Sequence, residues 1–356
     1  MFNSVELDNY LRDQERSERF SGVALITQAD ATLFTGAYGF AHRGWQIRNT
    51  LNVRFDTASI TKLFTAVATL QLIERGHFTL DTTAVGYLDL HDTAISPDAT
   101  VFHLLTHTSG IADDADEEAG ERYEDLWVNK PNYAIAATAD FLPQFAYKPA
   151  NFAPGAGCRY NNCAYVLLGL MIEKASGLSY RNYVRHHIFA RAGMTDSGFL
   201  RMDEANPLVA EGYAPLFDAA VEGKVVGWRK NIYSYPPIGS PDGGAYVTAG
   251  DLDRFLRSVK AGRLLSPALT EAFFTPQVHC QPMQDGWTKA YGYGLWFYIE
   301  QSGNVLFAEK EGVNVGVSAV LRHFPEQEIN IILLSNLEEG VWEPVWTIQR
   351  MVLGEL

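Results

Sequence analysis

Strand-forming runs lie at both ends of this chain and helix-forming runs fill its middle, and that order limits the fold more than any other feature. Near the start, SGVALITQ (21–28) and ATLFTGAYGF (31–40) are rich in β-formers and separated by the short Ala29-Asp30 turn, the pattern of a hairpin. Near the end, NVLFAEKEG (304–312), VGVSAVLRHF (315–324) and INIILLSN (329–336) are further strand-like runs, followed by a helical pattern from Trp342 to Leu353. Between them come helical patterns such as TASITKLFTAVATLQLIERG (57–76), AYVLLGLMIEKASG (164–177) and YRNYVRHHIFARAG (180–193). Strands remote in sequence must share a sheet to bury their apolar faces, so the expected class is α+β. Residues 1–75 and 240–356 would form one lobe around a mainly helical insertion, residues 76–239.

Composition excludes several functions. The 356 residues carry 28 lysines and arginines against 42 acidic residues, a net charge of −14 that repels phosphate backbones and anionic lipids. Nucleic acid and membrane surfaces are therefore not expected partners, and no apolar run is long enough to span a bilayer. The first twenty residues lack a basic stretch followed by an apolar core, which points to a cytoplasmic protein or to a mature periplasmic form. Cys158, Cys163 and Cys280 cannot complete a disulfide framework and have no zinc-type spacing, so structural zinc is disfavoured; Cys158 and Cys163, which flank Tyr160–Asn162, read as small buried side chains rather than nucleophiles.

Three short motifs could carry chemistry. Ser59-Ile60-Thr61-Lys62 places a hydroxyl and an amine at i, i+3 on the first turn of a helix, about 5–6 Å apart at Cβ. A cation there opposes the helix dipole, and partial desolvation would ease its loss of a proton, as a general base requires. The structural alternative is a Ser59 N-cap and a solvated Lys62. In GCRYNNCAYVLLG, Tyr160 could share a proton with Lys62 and Asn162 could position a substrate; alternatively, Tyr160 is a loop aromatic and an asparagine caps the helix. Lys310-Glu311-Gly312 ends a strand run, where Lys310 could meet an anion and Gly312 admit a close substrate, or Lys310 could be a sheet-edge charge. Tyr180-Arg181-Asn182 and Lys260-Ala261-Gly262 repeat the second and third patterns inside helical contexts and are set aside.

The ordered set SxxK, YxN, KxG, together with HLLTHTSGI (103–111), PDGGAYVTAGDLDRF (241–255) and the stretch from KEG through FPEQEINIILLSN (310–336), resembles the serine β-lactamase and penicillin-binding-protein-like superfamily. The resemblance is to its class C branch, with esterase and D-aminopeptidase relatives, and extends from about residue 20 to the end. It implies an antiparallel sheet flanked by N- and C-terminal helices beside an all-helical lobe, with the active site between them. Ser59 would be the acylated nucleophile and Lys62 with Tyr160 the proton-transfer pair. Asn162 and Lys310 would orient the substrate, and the backbone N–H groups of Ser59 and Val313 would hold the oxyanion. No metal or organic cofactor is implied, and the partner is a small-molecule substrate; oligomeric state is left open. His107 belongs to the scaffold in this family, and no GxSxG elbow supports an α/β-hydrolase.

Glu311 departs from the family pattern, which usually has a small hydroxyl residue there. A carboxylate facing the cleft would repel a carboxylate-bearing substrate by on the order of 1 kcal/mol. The expected function is thus a serine hydrolase of small esters or amides, including D-amino-acid amides. A true β-lactamase or DD-peptidase is the alternative, and a non-catalytic binding module the third.

Overall fold

The computed structural model describes residues 2–282 and 286–354. Eight strands form one sheet: β1 (Gly22–Gln28), β2 (Ala31–Tyr38), β3 (Val278–Pro282), β4 (Thr288–Tyr291), β5 (Trp296–Ile299), β6 (Val305–Asn314), β7 (Val317–Phe324) and β8 (Ile329–Ser335). Their spatial order is β2-β1-β8-β7-β6-β5-β4-β3, antiparallel throughout. The two ends of the chain meet where β1 pairs with β8, in register from Gly22↔Ser335 to Gln28↔Ile329. Every residue of β7 and β8 is buried, so both faces of the sheet are covered and these strands read as apolar runs rather than alternations.

One face carries α1 (Ser4–Arg16) and α5 (Trp342–Leu353). The Asn3 side chain caps α1 by accepting from the Val5 and Glu6 N–H groups, and Leu7 and Leu11, one turn apart, are buried. With Val345 and Ile348 they share a core with Ile26, Ile331 and Leu333 of the sheet. The opposite side holds α2 (Thr61–Glu74), α3 (Cys163–Ser176) and α4 (Ala249–Lys260). Residues 61–72 of α2 are all buried, and Leu63 and Phe64 share one apolar core with Leu167 of α3 and Leu321 and Leu334 of the sheet. That core crosses the boundary between the two stretches of sequence, so packing joins them rather than separating them.

Two features differ from expectation. The middle stretch is not all-helical, because Tyr213–Phe217 and Val225–Lys230 pair as a hairpin; Val225, Val226 and Trp228 favour a strand without the alternation that would reveal one. Cys158 and Cys280 are bridged across 122 residues, because folding brings the loop before α3 beside β3. Cys163 alone is a free buried thiol. No helix among the described residues is long and apolar enough to cross a membrane.

Candidate active site

Ser59 lies in a 3-10 turn, Ala58–Ile60, that leads directly into α2. It does not cap the helix, and Lys62 is not a solvated charge: its residue is 0% exposed. Its Nζ donates to Ser59 Oγ at 3.1 Å, Asn162 Oδ1 at 2.7 Å and the Asp242 carbonyl oxygen at 2.7 Å. Three acceptors satisfy an ammonium. When the amine is neutral it keeps two N–H donors and one lone pair, and only Ser59 among the three partners has a proton to offer. The arrangement therefore turns the lone pair toward the serine. Burial pushes Lys62 below the usual lysine range, opposed by the nearby carboxylates of Asp242, Glu117, Asp113 and Asp114.

Tyr160 completes the corner by donating its hydroxyl to Ser59 Oγ at 2.8 Å. Burial, with the charge of Glu117, pushes this phenol well above its usual range, so it remains a proton donor at neutral pH. The YNN segment divides its work between two amides. Asn161 Oδ1 accepts from the Ala164 N–H at 2.6 Å and closes the start of α3, which frees Asn162 to accept from Lys62. Asn162 Nδ2 in turn approaches Glu117 Oε2 at 3.4 Å. Asp113 accepts from the N–H groups of Asn162 at 2.9 Å and Cys163 at 3.0 Å, placing a carboxylate at the positive end of α3.

Lys310 is also 0% exposed, but its Nζ has no hydrogen-bond partner among the described residues. It lies between two rings, 4.7 Å from the centroid of Tyr160 and 4.3 Å from that of Trp296. Burial, reinforced by Lys62, pushes its ammonium well below the usual range. It is not a charge guarding an outer edge, since β6 has neighbours on both sides; β5 pairs with it only as far as Glu309, which leaves residues 310–314 open toward the cleft. At Gly312 a Cβ would lie 2.1 Å from the Thr57 carbonyl oxygen and 3.0 Å from Ser59 N, so only glycine lets β6 run this close to the Ser59 turn. Val313 follows and lines the cleft.

Successive residues of a strand face opposite ways, which pairs Glu311 with Glu309 rather than with Lys310; its carboxylate acts on Glu309 and on the Lys289 ammonium, and also on Lys310. The repeated motifs are also apart from the corner: Tyr180 hydrogen-bonds Thr65, and Lys260 ends α4 near Glu328. His107 serves the corner from behind, its ring 4.7 Å from that of Tyr160 and its Nδ1 accepting from the Asn161 N–H. Burial and the neighbouring lysines push it well below the usual histidine range, so it is a neutral support.

Sequence reasoning missed Glu117 and Asp242. Glu117 falls in the acidic run ADDADEEAGERYED, which has no periodicity to separate one carboxylate from another. Asp242 lies within a family landmark, but its role here is played by its main-chain oxygen. Both line the cleft beside Ser59, together with Asp56; among the described residues no lysine or arginine lines it.

A family model for beta-lactamase matches residues 7–350. Penicillin-binding protein 4 of Amycolatopsis lactamdurans is 26% identical over 346 residues, covering 94% of this chain and 85% of that protein. Esterase EstB of Burkholderia gladioli is 31% identical over 205 residues, 55% of this chain and 52% of that one. The crystal structure of a penicillin-binding protein from Bacillus halodurans superposes with a TM-score of 0.88 at 36% identity, covering 97% of this chain and 99% of that one. With its sheet, its flanking helices and this motif order, the chain belongs to the beta-lactamase family, within the serine β-lactamase and penicillin-binding-protein superfamily.

Proposed function

We propose that the protein is a serine hydrolase that forms an acyl-enzyme on Ser59 and acts on small neutral or amine-bearing esters and amides. One observation carries the mechanism: of the three partners of Lys62, only Ser59 can supply a proton. Neutral Lys62 takes that proton as Oγ bonds to the substrate carbonyl carbon, and the carbonyl electron pair moves onto oxygen beside the Ser59 and Val313 N–H groups. Collapse of this adduct expels the alcohol or amine, which takes up a proton from the Lys62 and Tyr160 pair flanking Oγ. Water then attacks the acyl group by the same route and restores Ser59.

The cleft lining supports the substrate class. Three carboxylates line the cleft, and the two amines behind it, Lys62 and Lys310, are buried and held below the usual lysine range; this balance favours an amine over a carboxylate, so the selectivity first sought at Glu311 is assigned to Glu117 and Asp242. The Cys158–Cys280 bridge supports an oxidising compartment over the cytoplasm. The test compares amino-acid p-nitroanilides bearing a free amine with their N-succinyl counterparts and with nitrocefin. The free-amine substrates should have the higher kcat/KM, by about tenfold or more, since about 1.4 kcal/mol of charge interaction is a factor of ten. Glu117→Gln should narrow that gap. Preference for nitrocefin or for succinylated substrates would favour a β-lactamase or DD-peptidase instead.

A further inference from the structure

The turn that presents Ser59 begins in a conformation that a residue with a Cβ rarely adopts. Ala58 has φ +42°, in the left-handed region that disfavours any side chain, and neighbouring groups must hold it there. The main chain supplies part of the hold: the Gly244 N–H donates to the Ala58 carbonyl oxygen at 3.2 Å, and Thr57 Oγ1 donates to the Ala245 carbonyl oxygen at 2.7 Å. The remaining grip is a carboxylate, because Asp56 Oδ1 accepts from the Ala58 N–H at 2.7 Å.

Asp56 is buried beneath the cleft, and a second set of contacts leads away from it. The Tyr235 phenol faces its carboxylate and favours the charged form. Asn231 Nδ2 donates to the Tyr235 hydroxyl at 2.6 Å and to the Val315 carbonyl oxygen at 2.9 Å, in the turn joining β6 to β7. The strand that carries Gly312 and Val313 is thereby tied through Asn231, Tyr235 and Asp56 to the residue preceding the nucleophile. No lysine, arginine or histidine among the described residues forms a salt bridge with Asp56. A buried carboxylate without a cation is destabilising, and its presence at a strained turn beside the nucleophile calls for a functional reason.

We propose that Asp56 is a positioning residue for acylation: through the Ala58 N–H it holds the left-handed turn that aims Ser59 Oγ at Lys62 and Tyr160, in fixed relation to β6. The inference rests on the reading of Ser59 as nucleophile. Burial pushes the Asp56 carboxyl up to about 6. The titratable groups facing it are the phenols of Tyr235 and of Tyr246, its partner across the short Phe55–Asp56 and Tyr246–Val247 ladder, with Glu211 beyond Tyr246. Both phenols are held well above their usual range and stay neutral near pH 6, so neither changes charge together with the carboxyl. Below that pH it loses its charge and its grip on the Ala58 N–H weakens.

Asp56→Asn keeps the size and one acceptor but removes the charge. The rate of Ser59 labelling by a neutral fluorophosphonate should be about tenfold lower than wild type at pH 8, the loss of one charge-assisted hydrogen bond. The two proteins should converge to within about twofold at pH 5, where the wild-type carboxyl is itself protonated. Lys62 titrates in both proteins, so their ratio isolates Asp56. A ratio of one at every pH, or a deficit independent of pH, would overturn the proposal; a merely structural aspartate would lower Tm without bending the ratio. If wild type is not labelled at Ser59 at all, the nucleophile assignment fails rather than this one.

Discussion

Glu309 and Lys310 are adjacent in sequence, equally buried and oppositely served, and the contrast separates the two faces of β6. Behind the sheet, Glu309 Oε2 accepts from Arg322 Nε at 2.5 Å, and Arg322 reaches Gln349 of α5 while its guanidinium lies over Phe307 and Trp346. In front, Lys310 has no hydrogen-bond partner among the described residues and lies between the rings of Tyr160 and Trp296. Removing either partner from the rear pair would strand a buried charge, which makes that face a structural commitment. An unsatisfied ammonium beside the Ser59 corner gives the fold little, and such groups persist where activity requires them.

The sharpest way to break this comparison is Lys310→Met. It should lower kcat/KM by about 10²-fold or more through loss of the amine beside Tyr160, while Tm holds or rises because a buried polar group without a partner has gone. Kinetics and thermal unfolding on the same samples decide it, and a loss of activity that merely follows a loss of stability would erase the distinction between the faces. The smallest expected effect belongs to the next residue. Glu311→Thr should change the preference between amine-bearing substrates and nitrocefin by less than about threefold, because strand alternation sets it with Glu309 rather than with Lys310. A tenfold gain toward nitrocefin would instead put that carboxylate in the cleft.

Local signals made much of this architecture legible. The Ala29-Asp30 turn, the glycine stop after α2, and the runs that became β6, β7 and β8 mark themselves by composition, and the helix from Trp342 to Leu353 by its period. The spacing of Ser59 and Lys62 specifies their contact because a helical turn fixes it. What stayed hidden depends on distant pairing: Lys62 with Asp242 across 180 residues, Cys158 with Cys280, and Asp56 gripping a turn whose strain no residue type announces. Glu311 stayed open for a different reason: its place in the motif is plain from the sequence, but alternation along a strand, rather than motif position, decides which way a side chain faces.

The central claim is that Ser59, activated by Lys62, becomes covalently acylated, and intact mass spectrometry with peptide mapping tests it most directly. Wild type treated with a fluorophosphonate or a slowly released acyl substrate should gain the mass of one adduct, mapped to Ser59, while Ser59→Ala gains none and loses turnover by several orders of magnitude. Lys62→Met should acquire the adduct far more slowly, because no other group near Oγ can accept its proton. An adduct on another residue, or turnover that survives in Ser59→Ala, would contradict the account.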